Sequence, residues 1–157
     1  MNITLHPKQI FKKGSGHESV VILSCVHGDE IIGLRVCLEL KKIHLLNGSL
    51  VGFLAHPSAY ALKKREFKYD LNRNFPGKGK DKEHYLARNI HHKLQPFDLV
   101  IDIHGTDSRI DSLAIVTKWN THTKRLLAEF PVEKVMYVPA HVYAKGALIS
   151  HVPLGIS

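Results

Sequence analysis

Three residues of this chain carry the ligand chemistry of a divalent metal: His27, Glu30 and His104. Zinc takes imidazole nitrogen and carboxylate oxygen, and catalytic zinc sites combine three such protein ligands with an open water position. Two histidines and one glutamate make that set. His27 and Glu30 stand close together in SCVHGDE, where an apolar run ends, and the short spacing lets both fold around one ion. Gly28 permits a tight backbone between them. His104 ends a distant apolar run, VIDIHGT. Asp102, two residues earlier, shares its face on a period-2 count and can accept a hydrogen bond from a ligand imidazole. An H-x-x-E pair alone is common by chance, and a lone histidine after a strand is more often a hydrogen-bonded loop residue. What singles these residues out is that two strand ends supply them.

A second group lies between the two ligand segments. In REFKYDLNRNFPG, Arg65, Asn72 and Arg73 surround Asp70. A guanidinium grips a carboxylate through two parallel hydrogen bonds, and an asparagine amide can orient a polar substrate group. In isolation the motif reads more readily as a capped turn on a solvated loop.

The elements that must position these groups alternate. Residues 19–26 and 97–105 read as buried strands, continuous apolar runs rich in β-branched residues. Residues 29–46 place Ile32, Val36, Leu40 and Ile43 at helical spacing, with Asn47-Gly48 as the stop. A strand over 49–56 is stopped by Pro57, which opens a short helix over 57–65. Residues 69–82 predict a long exposed loop. Helices follow over 83–95 and 121–130, and strands over 112–117 and 133–140. This order predicts an α/β fold with a mixed, largely parallel central sheet flanked by helices. Ligands of open α/β sheets gather outside the carboxyl ends of the strands, where both histidines fall.

Taken together, HGDE, DLNRNFPG and DIHGT, in this order, resemble the succinylglutamate desuccinylase/aspartoacylase family, a branch of the zinc carboxypeptidase-like fold. The resemblance implies that His27, Glu30 and His104 bind Zn2+ and that Arg65, Asn72 and Arg73 hold the substrate. It implies a zinc-dependent hydrolase that cleaves the amide bond of a small N-acyl amino acid. AHPSA, residues 55–59, matches the family's segment after the second strand, though asparagine is usual where His56 stands. The family's catalytic glutamate lies on a later strand, after a Pro-containing approach like HVPLGIS. It is expected at or just beyond Ser157, so residues 1–157 read as a catalytic domain truncated before its end. No Asp or Glu follows Glu133, and Asp107 and Asp111 are the carboxylates just past a ligand.

The chain's 157 residues suffice for one domain with a core, and 44% hydrophobic with 23% charged content is ordinary for a globular protein. No apolar run approaches the roughly 18 residues of a membrane span. The N-terminus has neither the apolar core nor the cleavage site of a secretory signal. Cys25 and Cys37 form no disulfide framework and read as buried thiols, so a cytoplasmic setting is expected. The net charge of +8 admits nucleic acid, but the basic residues are scattered and no aromatic-interleaved or finger motif accompanies them. A carboxypeptidase acting on peptides and a zinc-binding domain without catalysis stay open as alternatives. Of the remaining histidines, His91 and His92 read as solvated. His141 and His151 reach the active edge only if the last strand returns there. His6, His17, His44, His84 and His122 are assigned to the surface.

Overall fold

The computed structural model describes residues 3–106, 109, 112–142 and 145–157. Seven strands form one sheet: β1 (Lys8–Gly14), β2 (Ser19–Ser24), β3 (Ser49–Leu54), β4 (Leu99–Ile103), β5 (Leu113–Val116), β6 (Lys134–Tyr137) and β7 (Gly155–Ile156), in the order β1-β3-β2-β4-β7-β5-β6. Strands β3, β2, β4 and β7 run parallel, as do β5 and β6, whereas β1 pairs with β3, and β7 with β5, in antiparallel fashion. Helices α1 (Ile32–Leu40), α2 (Pro57–Ala61), α3 (Lys82–Leu94) and α4 (Thr121–Ala128) connect them.

The buried strands have apolar side chains on both faces because both are covered. Val21, Leu23, Val51, Phe53 and Val100 meet Leu86, Ile90 and Leu94 of α3 on one side. On the other side Ile22 and Leu50 meet Cys37 of α1 and Phe11 of β1. A third cluster joins Leu99, Val116 and Ile156 to Leu127 of α4. Among the described residues no helix is long and apolar enough to cross a membrane.

Three local departures from the sequence reading have physical causes. The helix expected over 29–46 forms only over Ile32–Leu40. Its upstream residues are spent on a tight turn in which Glu30 N–H bonds the His27 carbonyl at 3.2 Å. Ile43 does not continue the buried stripe and is 44% exposed. Strand β2 stops at Ser24 because Cys25 adopts a left-handed backbone, φ 52°, which a non-glycine residue rarely takes. That break turns the chain out of the sheet two residues before His27. Strand β1 was not foreseen: in KQIFKKG only Phe11 is buried, and lysines guard the open edge.

Candidate metal centre

Parallel neighbours β2 and β4 pair Ser24 with Ile103, so the segments leaving their carboxyl ends, with His27 and His104, emerge side by side. Gly28 serves a close approach rather than an unusual backbone angle. A Cβ there would lie 2.2 Å from the Ala59 carbonyl carbon and 2.3 Å from the Tyr60 nitrogen. The glycine lets the end of α2 and the segment that follows it lie directly on the His27–Glu30 turn, and Gly28 N–H bonds the Arg65 carbonyl at 3.0 Å.

The three sequence-predicted ligand residues meet. His27 Nδ1 is 2.8 Å from Glu30 Oε1, His104 Nδ1 is 2.9 Å from Glu30 Oε2, and the two Nδ1 atoms are 3.2 Å apart. The far nitrogen of each ring faces a carboxylate: His27 Nε2 is 3.0 Å from Asp70 Oδ1, and His104 Nε2 is 2.8 Å from Asp102 Oδ2. These carboxylates accept from each Nε2–H, so both Nδ1 atoms turn towards the Glu30 carboxylate, donating to it while the imidazoles are protonated and offering it lone pairs around a cation once those protons leave. With those protons gone, the two lone pairs, 3.2 Å apart, and the carboxylate can share one cation. Ligand atoms bound tetrahedrally at about 2.0–2.1 Å would sit roughly 3.3–3.4 Å apart; the two Nδ1 atoms are near that spacing, and the Glu30 oxygens, at hydrogen-bond distance, would move out slightly to admit an ion. His27, Glu30 and His104 thus fit a metal ion, and no other such cluster occurs among the described residues.

Glu30 is half-buried and receives further donors from Arg65 Nη1 and Gly105 N–H, each at 2.9 Å. Burial would raise its pKa, but the hydrogen bonds from His104 and His27 and from Gly105 win and hold it well below the usual carboxylate range. Asp70 drops to about 2, because the His27 contact outweighs burial. Burial works against a charge on His104, yet the Asp102 and Glu30 carboxylates raise it to about 10. Burial opposes a charge on His27 as well, and Asp70 and Glu30 prevail and raise it.

These shifts predict a pH signature of the metal-free chain. A histidine raised from 6.5 to about 10 stabilises the fold fully below pH 6.5, and that contribution is lost as pH climbs through about 10. The melting-temperature difference between the wild-type chain and His104→Gln should therefore shrink steadily from pH 6.5 to 10. A difference that stays constant would show that His104 is not charged in the metal-free fold.

The residues expected to hold the substrate are brought together less completely. Arg65, half-exposed, reaches Glu30 and lies 3.6 Å from Asp70. Asn72 is held through its Oδ1, which accepts from Leu148 N–H at 2.9 Å, and its Nδ2 lies 3.4 Å from His104 Nε2. Arg73 is exposed, with Nη1 donating to the Asn72 carbonyl at 3.0 Å. In the sequence Asp70 stands out only as the start of its motif. Its place on His27 depends on a contact across 43 positions, which no local spacing announces.

His56, fully buried after β3, caps α2 by accepting from Ala59 N–H at 3.3 Å, and burial depresses its pKa to about 4. It is therefore a neutral structural imidazole. His6, His17, His44 and His122 are exposed, as is His141, whereas His84 is half-buried. His92 is exposed, and His91 is half-buried beside His151, 6.4 Å between ring centres and away from the cluster. Cys25 and Cys37 are free and buried, and burial pushes both thiols up to about 11, so they are poor nucleophiles. Asp107 and Asp111 lie outside the described residues.

The parallel strand ends, the flanking helices and the site above them define an α/β protein of the zinc carboxypeptidase-like fold. Residues 17–147 match the succinylglutamate desuccinylase/aspartoacylase catalytic domain, and the chain belongs to that family. Its structure is similar to murine aminoacylase 3, with a TM-score of 0.71 and 19% identity over 92% of this chain and 55% of that one. It is similar as well to a succinylglutamate desuccinylase/aspartoacylase from Rhodobacter sphaeroides (TM-score 0.70, 22% identity, 93% of this chain and 49% of that one). A succinylglutamate desuccinylase from Vibrio parahaemolyticus gives a TM-score of 0.68 at 18% identity, over 89% of this chain and 49% of that one. The chain thus spans about half the length of these solved relatives. No curated protein sequence matches it.

Proposed function

We propose that this chain is catalytic-domain sequence of a zinc-dependent amidohydrolase that removes the acyl group from a small N-acyl amino acid. The observation that carries the reading is the convergence of His27 Nδ1, His104 Nδ1 and the Glu30 carboxylate, with both distal nitrogens tied to carboxylates. That is the arrangement by which proteins orient metal-binding imidazoles and raise their basicity. Membership of a deacylase family, and the aminoacylase and desuccinylase names of the structural neighbours, point to the same chemistry.

Zinc bound here would supply Lewis acidity towards the amide carbonyl and a water ionising near neutral pH. The chain's own residues would do the rest. Asp70 and Asp102 hold the imidazoles in their tautomers. Arg65 spends donors on Glu30 and Asp70 while half its side chain stays exposed, so its remaining N–H groups can meet an incoming anion. Arg73 at the exposed rim is the second arm of a carboxylate clamp, and Asn72 keeps the turn between them in place. The proposed partner is a small molecule rather than nucleic acid, and the proposed setting is the cytoplasm.

The test is a panel of N-acyl amino acids and short peptides offered to the zinc-loaded chain, with binding followed alongside turnover. Binding of N-acyl amino acids and not of peptides is the expected result. Arg73→Ala should weaken it by a few kcal/mol, as loss of a charge-assisted partner does. Preferential binding of peptides would favour a carboxypeptidase. Salt-sensitive DNA or RNA binding abolished by Arg73→Ala would sink the clamp.

A further inference from the structure

One buried carboxylate lies outside the metal cluster and touches none of its members. Glu83, in the first turn of α3, is 1% exposed. Its Oε1 accepts two successive backbone N–H groups, from Lys68 at 2.6 Å and Tyr69 at 3.2 Å. Among the described residues no lysine, arginine or histidine pairs with it. Burying a charged carboxylate is costly unless hydrogen bonds replace its water, and N–H groups bonded to a carboxylate are of the stronger, charge-assisted kind. The amino end of α3 adds a favourable field.

What those two amides precede gives the contact its meaning. Tyr69 is followed by Asp70, whose Oδ1 accepts from Asn72 N–H at 2.8 Å and faces His27 Nε2 at 3.0 Å. The stretch between α2 and α3 has no regular structure beyond one 3-10 turn, Leu71–Arg73. Helix α3, by contrast, is anchored in the main core through Leu86, Ala87, Ile90 and Leu94. A carboxylate on the anchored element thus grips the irregular one next to the residue that orients a histidine.

We propose that Glu83 is a positioning residue for the metal centre: from α3 it fixes the Lys68–Tyr69 backbone, and through it the Asp70 carboxylate, against His27. The effect on metal affinity rests on the reading of His27 as a ligand; the effect on the loop and on the His27 ring does not.

The experiment therefore has two arms. In the metal-free chain, amide hydrogen exchange over residues 68–74 and the ring 15N signals of His27 are compared between wild type, Glu83→Ala and Glu83→Gln. Glu83→Ala should speed exchange in that stretch by about tenfold or more, leave β2 and β4 unchanged, and shift the His27 ring signals. Glu83→Gln, whose Oε1 still accepts both N–H groups, should restore most of the wild-type behaviour. In the second arm, zinc affinity is measured against a competing chelator. Glu83→Ala should weaken it by about tenfold, within the range for outer partners of a ligand histidine, and should add little to Asp70→Asn. Unchanged exchange and His27 signals would overturn the proposal, as would fully additive losses or no rescue by glutamine. If the wild-type chain takes up no zinc, the metal reading falls and the first arm alone decides the role of Glu83. Should Glu83→Ala not fold, Glu83→Asp, which keeps the charge but withdraws it by one methylene, carries the same comparison.

Discussion

Alanine at position 104 should abolish the binding of one zinc ion proposed for this chain. His104 supplies one of two imidazole donors, and with His27 and Glu30 it completes the cluster. Removing an outer partner such as Asp102 typically costs about 10–100-fold in affinity. Removing a ligand must cost more, because the bond itself is lost and Glu30 keeps a carboxylate with less to neutralise it. His104→Ala should therefore lose zinc to a chelator that leaves Asp102→Asn loaded. Elemental analysis after dialysis against graded chelator measures both. Binding should also release protons, since His27 and His104 are shifted towards their charged forms in the metal-free fold and must give up the Nδ1 protons to bind. Full zinc content in His104→Ala would move the metal elsewhere and refute the assignment.

The convergence of His27, Glu30 and His104 was legible in the sequence because its signals are local: each histidine follows a buried strand, and Glu30 follows His27 within one turn. Asp102 was legible for the same reason, since period-2 geometry places it beside His104, where the structure has it at 2.8 Å. Asp70 and Glu83 were not, because their meaning lies in contacts across the fold. Nothing near Asp70 says that it faces His27, and a glutamate in the first turn of a helix ordinarily reads as solvated. The sheet was legible where strands are buried on both faces. Its borders were not: β1 buries one side chain, and β7 is two residues long, held by pairing with β4 and β5 rather than by any pattern of its own.

The second large effect concerns proton transfer. Among the described residues, every carboxylate that touches the imidazole pair is already engaged: Glu30 between the two Nδ1 atoms, Asp70 on His27 and Asp102 on His104. A general base must reach the attacking water with a free oxygen, within about 2.6–3.2 Å or through one further water. The 157-residue chain should therefore bind zinc yet hydrolyse N-acyl amino acids slowly, at the rate the metal alone supports. The base expected at or just beyond Ser157 can be tested at that position. Val100 pairs with Gly155 and Ile101 with Ile156, and the same register carried one residue further would set Ser157 beside Asp102, on the face of the sheet that leads to His104. Ser157→Glu places a carboxylate there. Positioned proton transfer is worth about 10²–10⁴-fold, and the substitution should recover part of that factor in single-turnover assays on the zinc-loaded chain, with zinc affinity unchanged. Fast hydrolysis by the wild-type chain, not improved by Ser157→Glu, would mean that a carboxylate already present serves as base. Asp107 and Asp111, which follow His104 closely in the chain, would then be the first to replace.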